Sequence, residues 1–97
     1  MAPTPHAEFP EGSRQAAIRC ANDRIAASAE NFRFDESAAV PFLCECDDPE
    51  CAEFVPLPLP AYRHARRRAD AFTVPGHRIE AARLVDVTPA RNLFRLL

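Results

Sequence analysis

The sequence predicts an α+β domain: an N-terminal helix, then a small mixed or antiparallel sheet with a second helix, organised around a zinc site. Three observations predict it. A stretch after Ser13 free of Pro and Gly carries apolar residues at helical spacing. Short β-branched and aromatic runs follow, bounded by Pro, Gly and Asp. Three cysteines then fall close together at Cys44, Cys46 and Cys51.

With 97 residues the chain holds one small domain. That length excludes a TIM barrel or a doubly wound nucleotide-binding domain. The apolar fraction is 47 %, but 18 of those residues are Ala, so seven Phe and seven Leu must supply most of the core. A core this thin calls for a staple, and the four Cys and three His are the candidates. Residues 1–12, with Pro3, Pro5 and Pro10, read as a flexible lead, and 13–97 as the single zinc-stabilised domain. The lead has no apolar run of a secretory signal, and no stretch has the length of a membrane span. A soluble, cytoplasmic protein is expected, where clustered cysteines bind metal or do redox work more often than they form disulfides.

Ser13 is a fitting N-cap for a helix running to Asn31. Ile18, Ala21, Ile25, Ala29 and Phe32 share one face and predict its inner side. Arg19, Asp23 and Glu30 fall opposite, and Cys20 lies with them on the polar side. Val40 to Cys44 reads as a strand, Asp47-Asp48-Pro49-Glu50 as a turn, and Phe54-Val55 as a second strand. Pro60 suits the first turn of a helix from Leu59 to Ala69. Leu59, Tyr62, Ala65 and Ala69 would face inward, with Arg63, His64, Arg66, Arg67 and Arg68 mostly outward. Phe72 to Val74 is strand-like and ends in Pro75-Gly76, a type II turn pair. Ala82 to Val87 and Asn92 to Leu97 read as strands joined by a hairpin loop at Thr88 to Arg91.

Cys44 and Cys46 are one residue apart, so extended backbone puts both thiols on one side. Cys51 returns after the turn and can meet them, a convergence that suits a tetrahedral metal. The fourth ligand must come from elsewhere. His77 is favoured, because the Pro75-Gly76 turn can aim it back at the loop. Cys20 is the rival but lies on the wrong helix face, His6 sits in the lead, and His64 lies among arginines. The expected ligand set is therefore Cys44, Cys46, Cys51 and His77, holding zinc. An iron–sulfur cluster and metal-free thiols are the alternatives. Glu45, Asp47, Asp48 and Glu50 are expected to form a solvated acidic loop.

These motifs resemble those of a group of small actinobacterial proteins with a Phe-x-Cys-Glu-Cys segment, a third Cys and a Phe-x-Val-x-Pro-Gly-His run. The matching residues here are Phe42, Cys44, Glu45, Cys46, Cys51, Glu53, Leu57, Tyr62, Arg66, Phe72, Val74, Pro75, Gly76, His77 and Glu80. The resemblance spans about residues 13–97 and places His77 inside the motif, which implies it as the fourth ligand. It implies no activity. Asp47 stands where that group usually has Gly, the second helix is Arg-rich where theirs is acidic, and Val74 runs directly into Pro75.

The net charge of −2 hides an asymmetry. Residues 34–62 carry −7 and residues 63–97 carry +5. The two segments either neutralise each other within the fold or leave a basic surface for a partner. Arg63, Arg66, Arg67 and Arg68 are the candidate partner-binding residues, toward an unknown protein or a nucleic acid. There is no Ser/His/Asp set, and with two Gly in the chain no phosphate-cradling loop. A non-catalytic interaction or regulatory module is the favoured reading. A nucleic-acid-binding regulator, a small zinc enzyme and an iron–sulfur or redox sensor are the alternatives.

Overall fold

The computed structural model describes residues 13–32, 35–80 and 82–96; the 1–12 lead and His6 lie outside them. The elements run α1 (Arg14–Asn31), β1 (Val40–Leu43), β2 (Phe54–Leu57), α2 (Leu59–Arg67), β3 (Asp70–Thr73), β4 (Ala82–Val87) and β5 (Asn92–Leu96). The α+β class holds, with the strands divided between two small antiparallel sheets. One is the β1–β2 hairpin, and the other has the order β3-β5-β4. Among the described residues, no helix is long and apolar enough to cross a membrane.

Each boundary has a local cause. The Ser13 hydroxyl accepts the Ala16 N–H at 3.2 Å and caps α1. Pro60 sits in the first turn of α2, where its missing N–H leaves no bond unmade. That helix ends at Arg67, two residues before the expected Ala69, because Ala69 turns left-handed at φ 57°. A register shift between Leu84 and Asp86 marks a bulge in β4.

The core gathers where α1, α2 and both sheets meet. Phe42 and Tyr62 stack with ring centroids 4.4 Å apart, and Phe72 meets both edge-on. Val40, Val55, Leu57, Leu59 and Ala65 close around them. Tyr62 points inward from α2, as its spacing predicted. The inner face of α1 is a correction. Its buried residues are Asn22, Ala26 and Ala29, whereas Ile18 and Ile25 are half-buried and Phe32 is 80 % exposed. Ala29 belongs to both faces, so the helix is turned by less than one residue step (~100°) from the face its apolar residues mark. A polar contact, described next, sets that rotation.

Candidate metal centre

Beyond β1 the backbone stays extended through Cys46. Cys44 N–H donates to Glu53 O at 3.1 Å, and Glu45 N–H donates to Phe72 O at 2.9 Å, which ties the hairpin to β3. Alternation then sends Cys44 and Cys46 to one side and Glu45 to the other. The turn after Cys46 is closed by Cys51 N–H on Asp48 O at 3.1 Å. Val74-Pro75-Gly76-His77 closes with His77 N–H on Val74 O at 3.2 Å, and Gly76 takes the positive φ, 89°, that such a turn requires. The Thr73 hydroxyl donates to His77 O at 3.1 Å and fixes the far side of that turn.

The result brings together Cys44, Cys46, Cys51 and His77, with one ligand atom of each lying within 4.8 Å of all the others. His77 Nδ1 is 3.6 Å from Cys44 Sγ and 3.5 Å from Cys51 Sγ. These four residues could hold a metal ion. Cys20 is exposed on α1, on its expected side. Burial pushes the Cys44 thiol up to about 12, although the Val74 N–H, 3.4 Å from its sulfur, pulls the other way. Burial also raises the Cys46 thiol. A bound cation reverses this preference, since a coordinated thiol gives up its proton.

Neighbouring side chains lock the loops that carry the ligands. The Arg14 guanidinium donates to Cys46 O at 2.9 Å and Cys51 O at 3.0 Å, joining both ends of the turn to the first residue of α1. The Asp47 carboxylate accepts from Gln15 Nε2 at 2.8 Å and from the Glu80 backbone N–H, and so links the turn to the segment after His77. No motif or spacing singled out Arg14 or Gln15. Their one signal was a position in the first turn of a helix that had to lie against the cysteine loop.

Glu45 corrects the expected solvated acidic loop. Asp47, Asp48 and Glu50 are exposed, but Glu45 is fully buried. Its carboxylate accepts from Arg66, from Asn22 Nδ2 at 2.8 Å and from Phe72 N–H at 3.2 Å. Asn22 also docks on the free edge of β1, its Oδ1 accepting Leu43 N–H at 2.8 Å and its Nδ2 donating to Leu43 O at 3.0 Å. A side-chain amide here takes the place of a neighbouring strand. This contact turns α1 to face Asn22 inward.

The four candidate partner-binding arginines separate. Arg63 pairs with Glu30 at 2.8 Å and Glu36 at 3.1 Å. Arg66, expected outward, points in over the Tyr62 and Phe72 rings at 4.8 and 5.1 Å and reaches Glu45. Burial alone would lower its pKa, but the Glu45 carboxylate outweighs that and the net direction is up. Arg67 is exposed, and Arg68 lies 3.8 Å from Asp70. Internal neutralisation does occur, but through Glu30, Glu36, Glu45, Asp23 and Asp70 rather than the acids of the cysteine turn.

No family model matches the chain, and no match was found among curated proteins or solved structures.

Proposed function

We propose that this protein is a zinc-stabilised, non-catalytic interaction or regulatory module. The observation that carries the reading is the spacing of the four ligand atoms. A tetrahedral zinc with bonds of ~2.3 Å to sulfur and ~2.0–2.1 Å to nitrogen sets sulfur–nitrogen edges of about 3.5–3.6 Å. His77 Nδ1 stands 3.5 Å from Cys51 Sγ and 3.6 Å from Cys44 Sγ, and Cys46 lies in the same cluster. An iron–sulfur cluster gives each of several irons its own terminal ligands, so its ligand atoms stand further apart than those around one ion.

Three thiolates and one imidazole fill a tetrahedron and leave no position for water or substrate, which favours a structural over a catalytic ion. The centre joins the turn of the β1–β2 hairpin to the turn after β3, two loops whose residues Asp47 to Glu50 and Pro75-Gly76 are exposed and bury little apolar area of their own. Binding the ion is then part of the folding free energy. A reducing compartment such as the cytoplasm keeps the three thiols available to metal.

Elemental analysis of protein purified without added metal tests this. One zinc per chain is expected, and a chelator that removes it should open at least residues 44–77 to protease. Protein that is folded and free of metal would overturn the reading, as would a coloured iron-containing product.

A further inference from the structure

We infer that the chain has a second site, distinct from the metal centre, that binds a small phosphomonoester. It is a cavity of 410 Å³ between α2, the start of β3 and the β4–β5 hairpin. Arg68 and His64 reach it from α2 and its C-terminal cap, Arg91 and Arg95 from the hairpin, and Asp70 and Asp86 share its wall. These residues are far apart in sequence, and the fold brings their charged groups to one concavity.

Charge identifies the ligand class. Arg83 stands directly opposite Arg95 in the β4–β5 pairing, so its charge belongs to the same cluster. Like charges placed opposite each other across a strand pair destabilise it unless an anion lies between them. Three arginines against two aspartates line the cavity, an excess of one positive charge, and Arg83 beside Arg95 adds a second. A phosphomonoester carries about −1.5 to −2 at neutral pH and matches that excess.

The donors are only partly used. Asp70 is 1 % exposed and orients Arg95 through Nε at 3.1 Å and Nη2 at 3.4 Å, which leaves Nη1 for a ligand. Arg91 gives Nη1 to Asp86 at 3.0 Å and keeps its other donors. Among the described residues, Arg68 makes no hydrogen bond through its guanidinium, and Arg83 has no ion pair. A carboxylate accepts two parallel N–H groups and a phosphate accepts several, so guanidinium forks arriving from three directions suit a phosphate best.

The cavity is larger than a phosphate needs and falls within the roughly 300–1,000 Å³ of small-molecule sites. Val85 and Leu93 line it as well and offer apolar contact to the organic part of the ester. A concave pocket with a dianion's worth of charge fits a terminal phosphate better than the singly charged diesters of a nucleic-acid backbone. The earlier candidates Arg63 and Arg66 do not contribute, because each is held by carboxylates of its own.

The test is a titration of the zinc-loaded full chain with phenyl phosphate and with inorganic phosphate at constant ionic strength, followed by backbone amide shifts. Saturable shifts confined to Arg68, Val85, Arg91, Leu93 and Arg95 are expected, with phenyl phosphate binding more tightly. Arg68→Ala removes an exposed side chain of the lining and should weaken binding about tenfold, the loss of one charge-assisted hydrogen bond. Arg83→Ala removes an exposed charge beside Arg95 and should weaken it by a smaller factor, with the remaining spectrum unchanged in both. Shifts that do not saturate, or affinities indifferent to both variants, overturn the proposal. A phosphodiester oligonucleotide that displaces phenyl phosphate at lower concentration than phenyl phosphate itself binds would also overturn it, in favour of a nucleic-acid surface.

Discussion

The Glu45 carboxylate, fixed in the chain between two cysteines of the candidate metal centre, meets the Arg66 guanidinium in the interior of the protein. The Glu45 side chain is 0 % exposed and that of Arg66 16 % exposed. Removing one partner of a buried pair strands the other charge, at a cost of about 3–5 kcal/mol. Arg66→Ala should fall near the lower end, about 3 kcal/mol, because Arg19 Nη1 stays 3.9 Å from the same carboxylate. Arg67→Ala, on the exposed side of the same helix, should stay within about 0.5 kcal/mol. Urea midpoints of the two variants check this, and equal midpoints would show that the arginines of α2 are interchangeable surface charges.

Metal content should separate the four cysteines. Cys46→Ser removes a sulfur from the tetrahedron and should abolish stoichiometric zinc. Cys20→Ser changes an exposed residue of α1 and should leave both zinc and stability unaltered, the latter to within about 0.5 kcal/mol. In the metal-loaded protein, Cys20 should be the thiol that a maleimide reaches first. Zinc loss in the Cys20 variant would mean that the ligand set is wrong. Because the thiols bind as thiolates, zinc affinity should fall as pH is lowered.

Periodicity and turn chemistry made the elements legible. Ser13, Pro60, Pro75 and Gly76 punctuate the chain where their backbone preferences require, and the helices and strands lie between them. The gathering of Cys44, Cys46, Cys51 and His77 was readable from alternation and one tight turn. What stayed hidden was polar and internal. Asn22 interrupts the Ile18, Ile25 and Ala29 stripe, and a polar residue within an apolar stripe was the available sign that α1 would turn toward it. Glu45 lies between two inward-facing cysteines, so alternation alone would send it outward with Asp47. Its burial became visible only with Arg66 and Asn22 in place, because a carboxylate leaves water only for partners that sequence spacing cannot bring together. Arg66 was misjudged for the same reason, since a run of arginines gives no sign of which member has a buried acid waiting.

Two backbone positions at positive φ should respond in opposite directions to opposite substitutions. Ala69 is held at φ 57° just past the end of α2, where a Cβ costs about 1–2 kcal/mol. Ala69→Gly relieves that strain but frees the unfolded chain by about 0.4–1 kcal/mol. The net expectation is a gain of about 0.5 kcal/mol, or about 2–4 °C in Tm. Gly76 sits at φ 89°, and a Cβ there would meet nothing within 4 Å. Gly76→Ala should therefore lose about 1 kcal/mol through backbone strain alone, and weaken zinc binding as the turn that delivers His77 is disturbed. Calorimetric Tm values that move the same way for both variants would contradict this.

Asn22→Asp isolates the role of the amide from that of its shape. The replacement keeps an acceptor for Leu43 N–H but cannot donate to Leu43 O or to Glu45, which the native Nδ2 reaches at 3.0 and 2.8 Å. As an anion it would also stand at hydrogen-bond distance from a second buried carboxylate. Stability should drop at neutral pH by about 3 kcal/mol or more, the scale of an unpaired buried charge. The sign of the pH dependence follows. Burial and the neighbouring carboxylate both raise the folded-state pKa of the new aspartate above its unfolded value. The neutral acid is therefore the form the fold tolerates, and the penalty is full above that raised pKa and shrinks as pH falls toward the ordinary carboxylate range. Protonation restores one donor of the amide's two, so recovery should be partial. Urea unfolding of the variant and the native chain at about pH 7 and about pH 5 measures the difference. A penalty that is constant with pH would show that Asn22 fills space at the edge of β1 without supplying the hydrogen bonds that turn α1 toward Glu45.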